Sequence, residues 1–420
     1  MNRAARRIVK TYVSLTLIST FASSFIWGIN TLFLLDAGLT ITEAFTANAF
    51  FTAGQVLFEI PTGVVADTRG RRTSFLLGTA TLFATTLAYL WLWDIKGPFW
   101  AWALVSALLG LGFTFFSGAT EAWLVDGLKD ACFKEELDGV FAKGAIASGI
   151  AMLTGTVSGG LVAQITNLGV PYIMRIVALG LTFLIALFLM HDEGFSPKKR
   201  SSFVSDVRDV LSASVQFGLR NAPIRWMMFS SIFSGGVAIF AFYAMQPYLL
   251  ELYGETGSYT VAGAAAAVVA GAQIVGGLLV PYAGRLFWRR TSLLIAGMII
   301  SCATLVLIAL APSFWIALTA LAVWAVVFAS INPVRQTYVN GIVPSEQRAT
   351  VLSADNLLNS AGGAVSQPAL GKVAEVWGYP ASYLGSAIFQ ALAIPLLMLA
   401  RREDAKSDPI RGEVNGNQPA

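Results

Sequence analysis

The chain has 420 residues, of which 56% are hydrophobic and only 12% are charged. A soluble domain carries about 25% charged residues, so this composition leaves too little polar surface for a water-exposed globule. The net charge of +4 does not indicate nucleic-acid binding, because the basic residues cluster in short turns between long apolar runs. The composition therefore predicts an integral membrane protein.

Long apolar runs recur along the whole chain. A helix needs about 20 apolar residues to cross a bilayer, and the length accommodates about 12 such helices. The runs predict spans 1 to 12 near residues 12–36, 42–66, 73–95, 99–128, 138–167, 170–191, 224–250, 259–284, 291–311, 314–342, 348–376 and 380–400. The first run exceeds the apolar region of a secretory signal, roughly 7–15 residues, so we interpret it as a spanning helix.

Basic residues are concentrated in the turns on one side of the predicted bilayer. That side contains Arg3, Arg6, Arg7, Lys10, Arg69, Arg71, Arg72, Lys129, Lys134, Lys198, Lys199, Arg200, Arg285, Arg289, Arg290, Arg401 and Arg402. The opposite turns contain only Lys96 and Lys372. Because lysine and arginine are enriched in cytoplasmic loops, both termini are predicted to be cytoplasmic.

One long polar stretch, residues 192–222, divides six predicted spans from six. Its apolar residues have helical spacing and predict an amphipathic helix on the inner membrane surface: Val204, Val207, Leu211 and Val215. The expected domains are a six-helix bundle over 1–191, this cytoplasmic linker, and a second six-helix bundle over 223–402. The charged, proline- and glycine-rich residues 403–420 are expected to be a disordered tail.

The two halves repeat short motifs at matching positions. Arg71–Ser74 recurs as Arg289–Ser292, and the pattern of Gly155–Ser158 recurs as Gly363–Ser366. The sequence thus predicts an all-α membrane protein of two pseudo-symmetric six-helix bundles. This architecture is typical of alternating-access transporters, which bind substrate between the halves near the bilayer midplane. A duplicated structural scaffold is the alternative.

The turn after span 2 carries the most specific motif. It reads Gly63-Val-Val-Ala-Asp67-Thr-Arg69-Gly70-Arg71-Arg72 and resembles the loop 2–3 signature of the major facilitator superfamily (MFS), G-x-x-x-D-R-x-G-R-R, with Thr68 as the departure. Glu59-Ile-Pro-Thr62 and Ser117-Gly-Ala-Thr-Glu121-Ala-Trp-Leu-Val-Asp126 are similar to one bacterial branch of that superfamily.

The resemblance implies a plasma-membrane carrier driven by an ion or substrate gradient, and the sequence contains no G-x-x-x-x-G-K-[ST] phosphate loop. It also implies that Asp67 lies near residues 346–350 and that Arg71 pairs with Asp126 while the inner side is closed. The expected gating residues are Gly63, Asp67, Arg69, Gly70, Arg71, Arg72 and Asp126.

Charged residues inside spans cost about 2.5–3.5 kcal/mol each and are commonly paired or functional. Five of them lie at a similar depth near the inner ends of their spans: Glu59, Glu121, Lys143, Arg335 and Asp355. We predict the pairs Glu121–Lys143 and Arg335–Asp355, each across a short inner turn, as structural bridges or coupling sites. Glu59 then remains as a lone acid and a candidate proton carrier, since burial disfavours its charged form. A Glu59 bonded to nearby donors is the alternative.

Spans 1, 4, 7 and 10 line the path in the resembled family, and span 11 adds amide groups. The expected substrate cavity comprises Trp27, Asn30, Thr114, Ser117, Tyr243, Gln246, Trp324, Phe328, Asn332, Asn356, Asn359 and Gln367. Aromatic walls with scattered amides suit a medium-sized, weakly polar or amphipathic organic compound. Further out, Asp36 and Arg175 near the outer ends of spans 1 and 6 are expected to reach toward the membrane surface.

The expected function is secondary active transport by alternating access, with proton-coupled export of small organic compounds. A nutrient symporter and a non-transporting membrane sensor are the alternatives. One histidine, His191, argues against a metal centre, and no convergent catalytic set indicates an enzyme. We expect no cofactor or nucleic-acid partner; the partners are the substrate, protons and lipid, and the carrier is expected to be a monomer.

Overall fold

The computed structural model describes residues 2–116, 118–133, 137–192, 194–195, 212, 214–344 and 347–410. These residues are overwhelmingly helical. The helices run over Arg3–Trp27, Asn30–Asp36, Ile41–Arg69, Arg71–Asp94, Phe99–Thr114, Ala119–Asp130, Asp138–Ile165, Val170–Leu189, Ser214–Leu219, Ala222–Tyr253, Tyr259–Leu286, Arg290–Ala309, Phe314–Asn340, Arg348–Ala391 and Ala393–Arg402.

Within the described residues, eleven helices are long and apolar enough to cross a membrane. The last of them, Val351–Arg402, is 52 residues long and contains two of the predicted spans. Gly378 separates the two, because its φ of 83° and ψ of 166° are not helical. The predicted set of twelve spans in an all-helical membrane fold is thereby confirmed, and we keep the numbering of spans 1 to 12.

Spans 1 and 4 are broken, although the sequence predicts each as one continuous helix. In span 1 the helix ends at Trp27 and restarts at Asn30. In span 4 it ends at Thr114 and restarts at Ala119, after Gly118 in the left-handed region at a φ of 66°. Hydropathy does not reveal such breaks, because the residues on either side of each remain apolar.

The first compact unit combines residues 1–207 with Tyr243–Ala267, the second half of span 7 and the start of span 8. One core of this unit contains a group of stacked aromatic rings. The ring of Phe33 stacks on that of Tyr172 with centroids 3.9 Å apart, and Tyr89 meets Trp102 edge-on at 5.0 Å. Such rings bury about 150–250 Å² each, so they dominate the packing of this core.

Span 5 packs on span 1 through small residues. A Cβ added at Gly159 would overlap the carbonyl oxygen of Phe25, and one at Gly155 would lie 2.7 Å from Cβ of Ser24. Close backbone approach through small residues is a common way to pack helices in a membrane. The neighbouring Gly160 contacts span 8 instead, where an added Cβ would lie 2.9 Å from Cα of Gly263.

The second unit comprises residues 208–242 and 268–420. It repeats the small-residue contact, since a Cβ added at Gly362 in span 11 would overlap the carbonyl oxygen of Ile232 in span 7. Its core surrounds Met227, Leu294 and Tyr338. The repeated contact is the structural counterpart of the repeated glycine motif in the sequence.

Many large apolar side chains on the spans are exposed, among them Leu57, Phe188, Ile300 and Ile388. Exposed tryptophans lie near the ends of the spans: Trp91, Trp100, Trp288, Trp315 and Trp377. Apolar exposure of this extent would be unfavourable in water but suits contact with lipid, and tryptophan near span ends is typical of the membrane interface.

The predicted amphipathic helix falls largely outside the described residues, at Val204, Val207 and Leu211. From that stretch the structure describes a six-residue π-helix, Ser214–Leu219, before span 7 begins at Ala222. The helix predicted there stays a prediction.

The expected disorder from residue 403 is wrong for residues 403–410. Asp408 is only 1% exposed and accepts hydrogen bonds from the backbone nitrogen of Thr291 at 2.8 Å and from its hydroxyl at 2.9 Å. Arg290 donates to the carbonyl oxygen of Pro409 at 2.7 Å. The segment is ordered because it satisfies the free backbone donors at the start of span 9.

Asp408→Ala is predicted to destabilise the protein by about 2 kcal/mol, because it removes a helix cap and leaves buried donors unpaired. Asp404→Ala is the matched control: its carboxylate is 73% exposed and pairs with Arg289 on the surface at 2.7 Å. The control is expected to cost less than about 0.5 kcal/mol. Thermal unfolding of the purified variants measures both, and equal losses would contradict the prediction.

Candidate functional site

The signature loop forms an ion-pair network at one end of the first unit. Arg71 donates to Oδ1 of Asp67 at 2.6 Å, one helical turn away. Its Nε lies 3.9 Å from Oδ2 of Asp126 in span 4, at the outer limit of an ion pair. The contact with Asp126 expected from the family resemblance is therefore present as the weaker of the two. The expected approach of Asp67 to residues 346–350 stays a prediction. Residue 346 and the side chains of residues 349 and 350 lie outside the part of the chain that the structure describes.

Gly70 and Arg72 connect the loop to the end of span 6. Gly70 has a φ of 105°, and a Cβ there would overlap the carboxylate of Asp192. That carboxylate accepts the backbone N–H of Arg72 at 2.9 Å, while the Arg72 side chain donates to the carbonyl oxygen of Leu187 at 2.7 Å. The glycine is required by both the backbone conformation and the close approach. Gly63 and Arg69 are exposed and take no part in this contact.

Asp192 and Asp408 have equivalent positions in the two units. Each follows the sixth span of its half, and each caps the start of the third span, at Arg72 and at Thr291. A carboxylate at a helix N-terminus is stabilised by about 0.3–1 kcal/mol through the helix dipole. The internal repeat thus includes this cap, which the matching of motifs between the two halves did not identify.

A polar cavity of about 560 Å³ opens beside the network. It is lined by Asp67, Arg71, Asp126, Lys129, Asp130, Gly194 and Phe195. Three carboxylates and two cations line it, so its charges largely compensate one another. The arrangement suits a rearranging set of ion pairs better than a site for a single charged ligand.

Of the two predicted charge pairs, one is formed. Arg335 in span 10 donates to Oδ1 of Asp355 in span 11 at 2.5 Å and to the carbonyl oxygen of Met227 at 2.7 Å. Ser231 in span 7 donates to the same carboxylate oxygen at 3.2 Å. Asp355 is 8% exposed, so this is a buried pair that ties three spans of the second unit together.

The other predicted pair is not formed: both Glu121 and Lys143 are exposed, and no ion pair joins these two described residues. Glu121 lies in the first turn of the helix Ala119–Asp130, where the helix dipole stabilises its charge without a cation. Glu59 is partly exposed and has an interaction of its own, so it is not the lone buried acid expected from the sequence.

The break in span 1 is held by span 7, and we call this the span 1–span 7 contact. Gln246 accepts the backbone N–H of Thr31 at 2.9 Å and donates to the carbonyl oxygen of Trp27 at 2.7 Å. The Thr31 hydroxyl donates to the carbonyl oxygen of Tyr243 at 3.0 Å. Gln246, 1% exposed, thereby satisfies backbone groups that the helix break leaves open.

A buried polar cluster lies next to this contact, inside the first unit. Tyr172 donates to Oδ1 of Asn30 at 3.0 Å, and Nδ2 of Asn30 donates to Asn48 at 3.1 Å. Arg175, three residues after Tyr172 on span 6, donates through Nε to the hydroxyl of Thr86 at 3.2 Å. The expectation that Arg175 reaches the membrane surface is wrong, because the side chain is 1% exposed and points into the helix bundle. Asp36, by contrast, is exposed and accepts from Trp93 at 2.7 Å.

The remaining predicted cavity residues are distributed differently. Thr114 is buried and bonds to its own helix at the carbonyl oxygen of Leu111, and Ser117 lies outside the described residues. In the second unit Trp324 is buried and stacks on Phe328, while Gln367 is fully buried and donates to the carbonyl oxygen of Gly363. The other three predicted residues are exposed or partly exposed: Asn332, Asn356 and Asn359.

Sequence reasoning missed the residues that organise the first unit: Asn48, Thr86, Tyr89, Asp192 and the buried position of Arg175. A charge five residues inside an apolar span was a usable signal for Arg175. No pattern in the sequence pointed to Asp192, because the cap depends on how the turn after span 2 meets the end of span 6.

The fold, the paired helix breaks and the buried polar groups define a multi-pass membrane transporter rather than an enzyme. The family model of the Major Facilitator Superfamily matches residues 12–288 and 257–419, and the chain belongs to that superfamily. A search of curated proteins finds no match.

Solved structures of transporters share the fold at low sequence identity. The nucleoside transporter NupG is 13% identical, with a TM-score of 0.78 over 96% of this chain and 100% of that chain. A bacterial homologue of the human lysosomal transporter Spinster, in its inward-facing and unoccupied conformation, is 14% identical, with a TM-score of 0.71 over 97% and 99%. A POT family transporter in complex with 5-aminolevulinic acid is 12% identical, with a TM-score of 0.70 over 95% and 96%.

Arg335→Gln is predicted to destabilise the protein by about 3–5 kcal/mol, because it leaves the buried Asp355 carboxylate without its cation. The double variant Arg335→Gln with Asp355→Asn is expected to recover most of that loss, since no buried charge remains. The measurement is a double-mutant cycle: thermal unfolding of the wild type, of both single variants and of the double variant. Losses that simply add would show that the two residues do not interact energetically.

Proposed function

We propose that the protein is a secondary active carrier of the plasma membrane that moves a small organic compound by alternating access. It acts as a monomer with both termini in the cytoplasm. The observation that carries the proposal is the span 1–span 7 contact, which joins chain segments from the two halves of the internal repeat. A carrier of two rocking halves needs such a contact at each end of the path, and each must open in turn.

The contact has properties suited to opening. Its hydrogen bonds involve two side chains, Gln246 and Thr31, and backbone groups, so few groups have to find new partners. Next to it, Gly28 and Gly160 pack against Gly263, where an added Cβ on either would lie 3.0 Å or less from its Cα. A net of about 1 kcal/mol per hydrogen bond makes the contact weak enough for substrate binding to shift.

At the opposite end, the signature loop supplies the second closure. Asp67, Arg71 and Asp126 offer charges that exchange partners around the polar cavity. An ion pair at 3.9 Å costs little to break, so Arg71 and Asp126 fit a latch that changes with the state of the carrier. The basic residues around this loop support its cytoplasmic placement.

Proton coupling is proposed for the carboxylates on the spans, with Glu59 as the first candidate. It lies on span 2, two residues before Pro61, and is partly exposed, so it can exchange a proton with water. Asp355 is less suited because it is buried and already bonded to Arg335 and Ser231.

Export of a weakly polar or amphipathic compound is the proposed direction, and it rests on the resemblance of the signature loop and of the Glu59–Thr62 motif to a bacterial branch of the superfamily. Nutrient symport is the second candidate, because a nucleoside transporter is among the proteins of similar fold. An identity of 13% indicates that the fold is shared but does not indicate that the substrate is.

Gln246→Ala is predicted to open the span 1–span 7 contact, because it removes both hydrogen bonds that hold the break in span 1. The measurement is labelling of a cysteine at Ala262, a buried residue of span 8, by an impermeant maleimide in a background without Cys132 and Cys302. The labelling rate should rise roughly tenfold for a loss of about 1–2 kcal/mol. Gln336→Ala, an exposed glutamine of span 10, is the matched control, and an unchanged rate in Gln246→Ala would reject the role of the contact.

Vesicles containing the purified protein and an imposed pH gradient should show substrate-dependent proton flux with at least one compound of a broad organic panel. The direction of compound movement relative to the gradient distinguishes export from symport. Glu59→Gln is expected to abolish proton flux while leaving substrate exchange intact, since exchange needs no net proton movement. Proton flux at the wild-type rate in this variant would remove Glu59 as the carrier.

A further inference from the structure

The buried cluster of the first unit contains a cation without a counter-ion. Nη2 of Arg175 is buried and has no hydrogen-bond partner. Its Nε donates to Thr86, and the nearby ring hydroxyls are those of Tyr172, Tyr89 and Tyr243. Among the described residues, no carboxylate forms an ion pair with Arg175. The Phe113 ring lies 5.9 Å from its central carbon. Placing an uncompensated cation inside a helix bundle costs several kcal/mol, so its retention calls for a partner.

A second unused donor belongs to the same cluster. Nδ2 of Asn48 is buried without a hydrogen-bond partner, while the Oδ1 of Asn48 accepts from Asn30. Asn30 also accepts from Tyr172, which lies one helical turn from Arg175. Both unsatisfied groups therefore donate. Tyr172 connects them, because it is bonded to Asn30, the partner of Asn48, and lies one helical turn before Arg175 on span 6. A ligand that completes the cluster must supply acceptors, and a negative charge would compensate the guanidinium.

We propose that Arg175 and Asn48 form the binding site for the carboxylate of an organic monoanion, which is the transported compound. This inference rests on the proposed carrier function and names its substrate class. One cation accompanied by neutral donors matches a single negative charge, whereas a phosphate dianion would need a second cation. The rings of Phe33, Tyr172 and Phe113 surround the cluster and suit an apolar or aromatic body on the same ligand.

The span 1–span 7 contact covers this site. Arg175 is within electrostatic range of Tyr243, whose carbonyl oxygen is bonded to Thr31. Separation of span 7 from span 1 removes Tyr243 from the cluster and gives the guanidinium access to the outer side. The carboxylate then binds in the state in which the contact is open, and closure of the contact buries the neutralised pair.

The test uses the full-length protein in nanodiscs at pH 7.5 and matched pairs of acid and primary amide. The pairs are phenylacetate with phenylacetamide, nicotinate with nicotinamide, and indole-3-acetate with indole-3-acetamide. At least one acid is expected to bind about 30-fold or more tightly than its amide, the typical effect of a buried charged hydrogen bond. Arg175→Gln should remove that preference, and Arg175→Lys should retain part of it.

Two further variants serve as controls for a loss of binding that is caused by misfolding. Thr86→Val keeps Arg175 but removes the acceptor of its Nε, so it should weaken acid binding less than Arg175→Gln while leaving amide binding unchanged. Lys372→Gln, which alters an exposed cation paired with Glu375, should bind as the wild type does. Equal binding of acids and amides, binding of no acid, or an acid preference that survives in Arg175→Gln would overturn the anion site.

The same compounds in the vesicle assay separate this inference from the carrier function. Flux without preference for acids would reject the anion site and leave the carrier function intact. Acid binding through Arg175 without flux of any compound would reject the carrier function and leave the anion site.

Discussion

The structure depends on one constraint: a bilayer offers no hydrogen bonds, so every helix break and every charge in the spans has to be satisfied by the protein. The break in span 1 is satisfied by Gln246, and the starts of spans 3 and 9 are satisfied by Asp192 and Asp408. Several buried side-chain atoms remain without a partner, and two of them, the donors of Arg175 and Asn48, belong to the proposed anion site.

The two repeated halves fold into units that are stabilised by the same kinds of contact, made by different residues. Each unit packs its first span on its fifth through glycines, and each caps its third span with an aspartate that follows its sixth. Their charged residues differ: the second unit contains the buried pair Arg335–Asp355, whereas the equivalent Glu121 and Lys143 are exposed and unjoined. Duplication has thus kept the packing while the charged residues diverged.

The proposed anion site contains one buried cation, Arg175, with the ring of Phe113 beside it. A single cation in an aromatic cluster gains its specificity from being uncompensated, because any nearby carboxylate would neutralise it. The aromatic rings keep water away from Arg175 and therefore strengthen its attraction to an anion. Closure by backbone groups and glycines, as at Gly28 and Gly263, leaves the polar side chains of the cluster available for the ligand.

The sequence by itself determined the membrane class, the twelve spans, the duplication and the superfamily, because hydropathy, charge asymmetry and the Gly63–Arg72 motif are local properties of the chain. It also predicted the Arg335–Asp355 pair, because the two opposite charges lie on either side of a short inner turn. Only the tertiary structure decided the rest: the breaks in spans 1 and 4, the burial of Arg175, the order of residues 403–410 and the absence of a Glu121–Lys143 bond. These features depend on which backbone donors and side chains from distant spans meet, and no period or motif within one span contains that information.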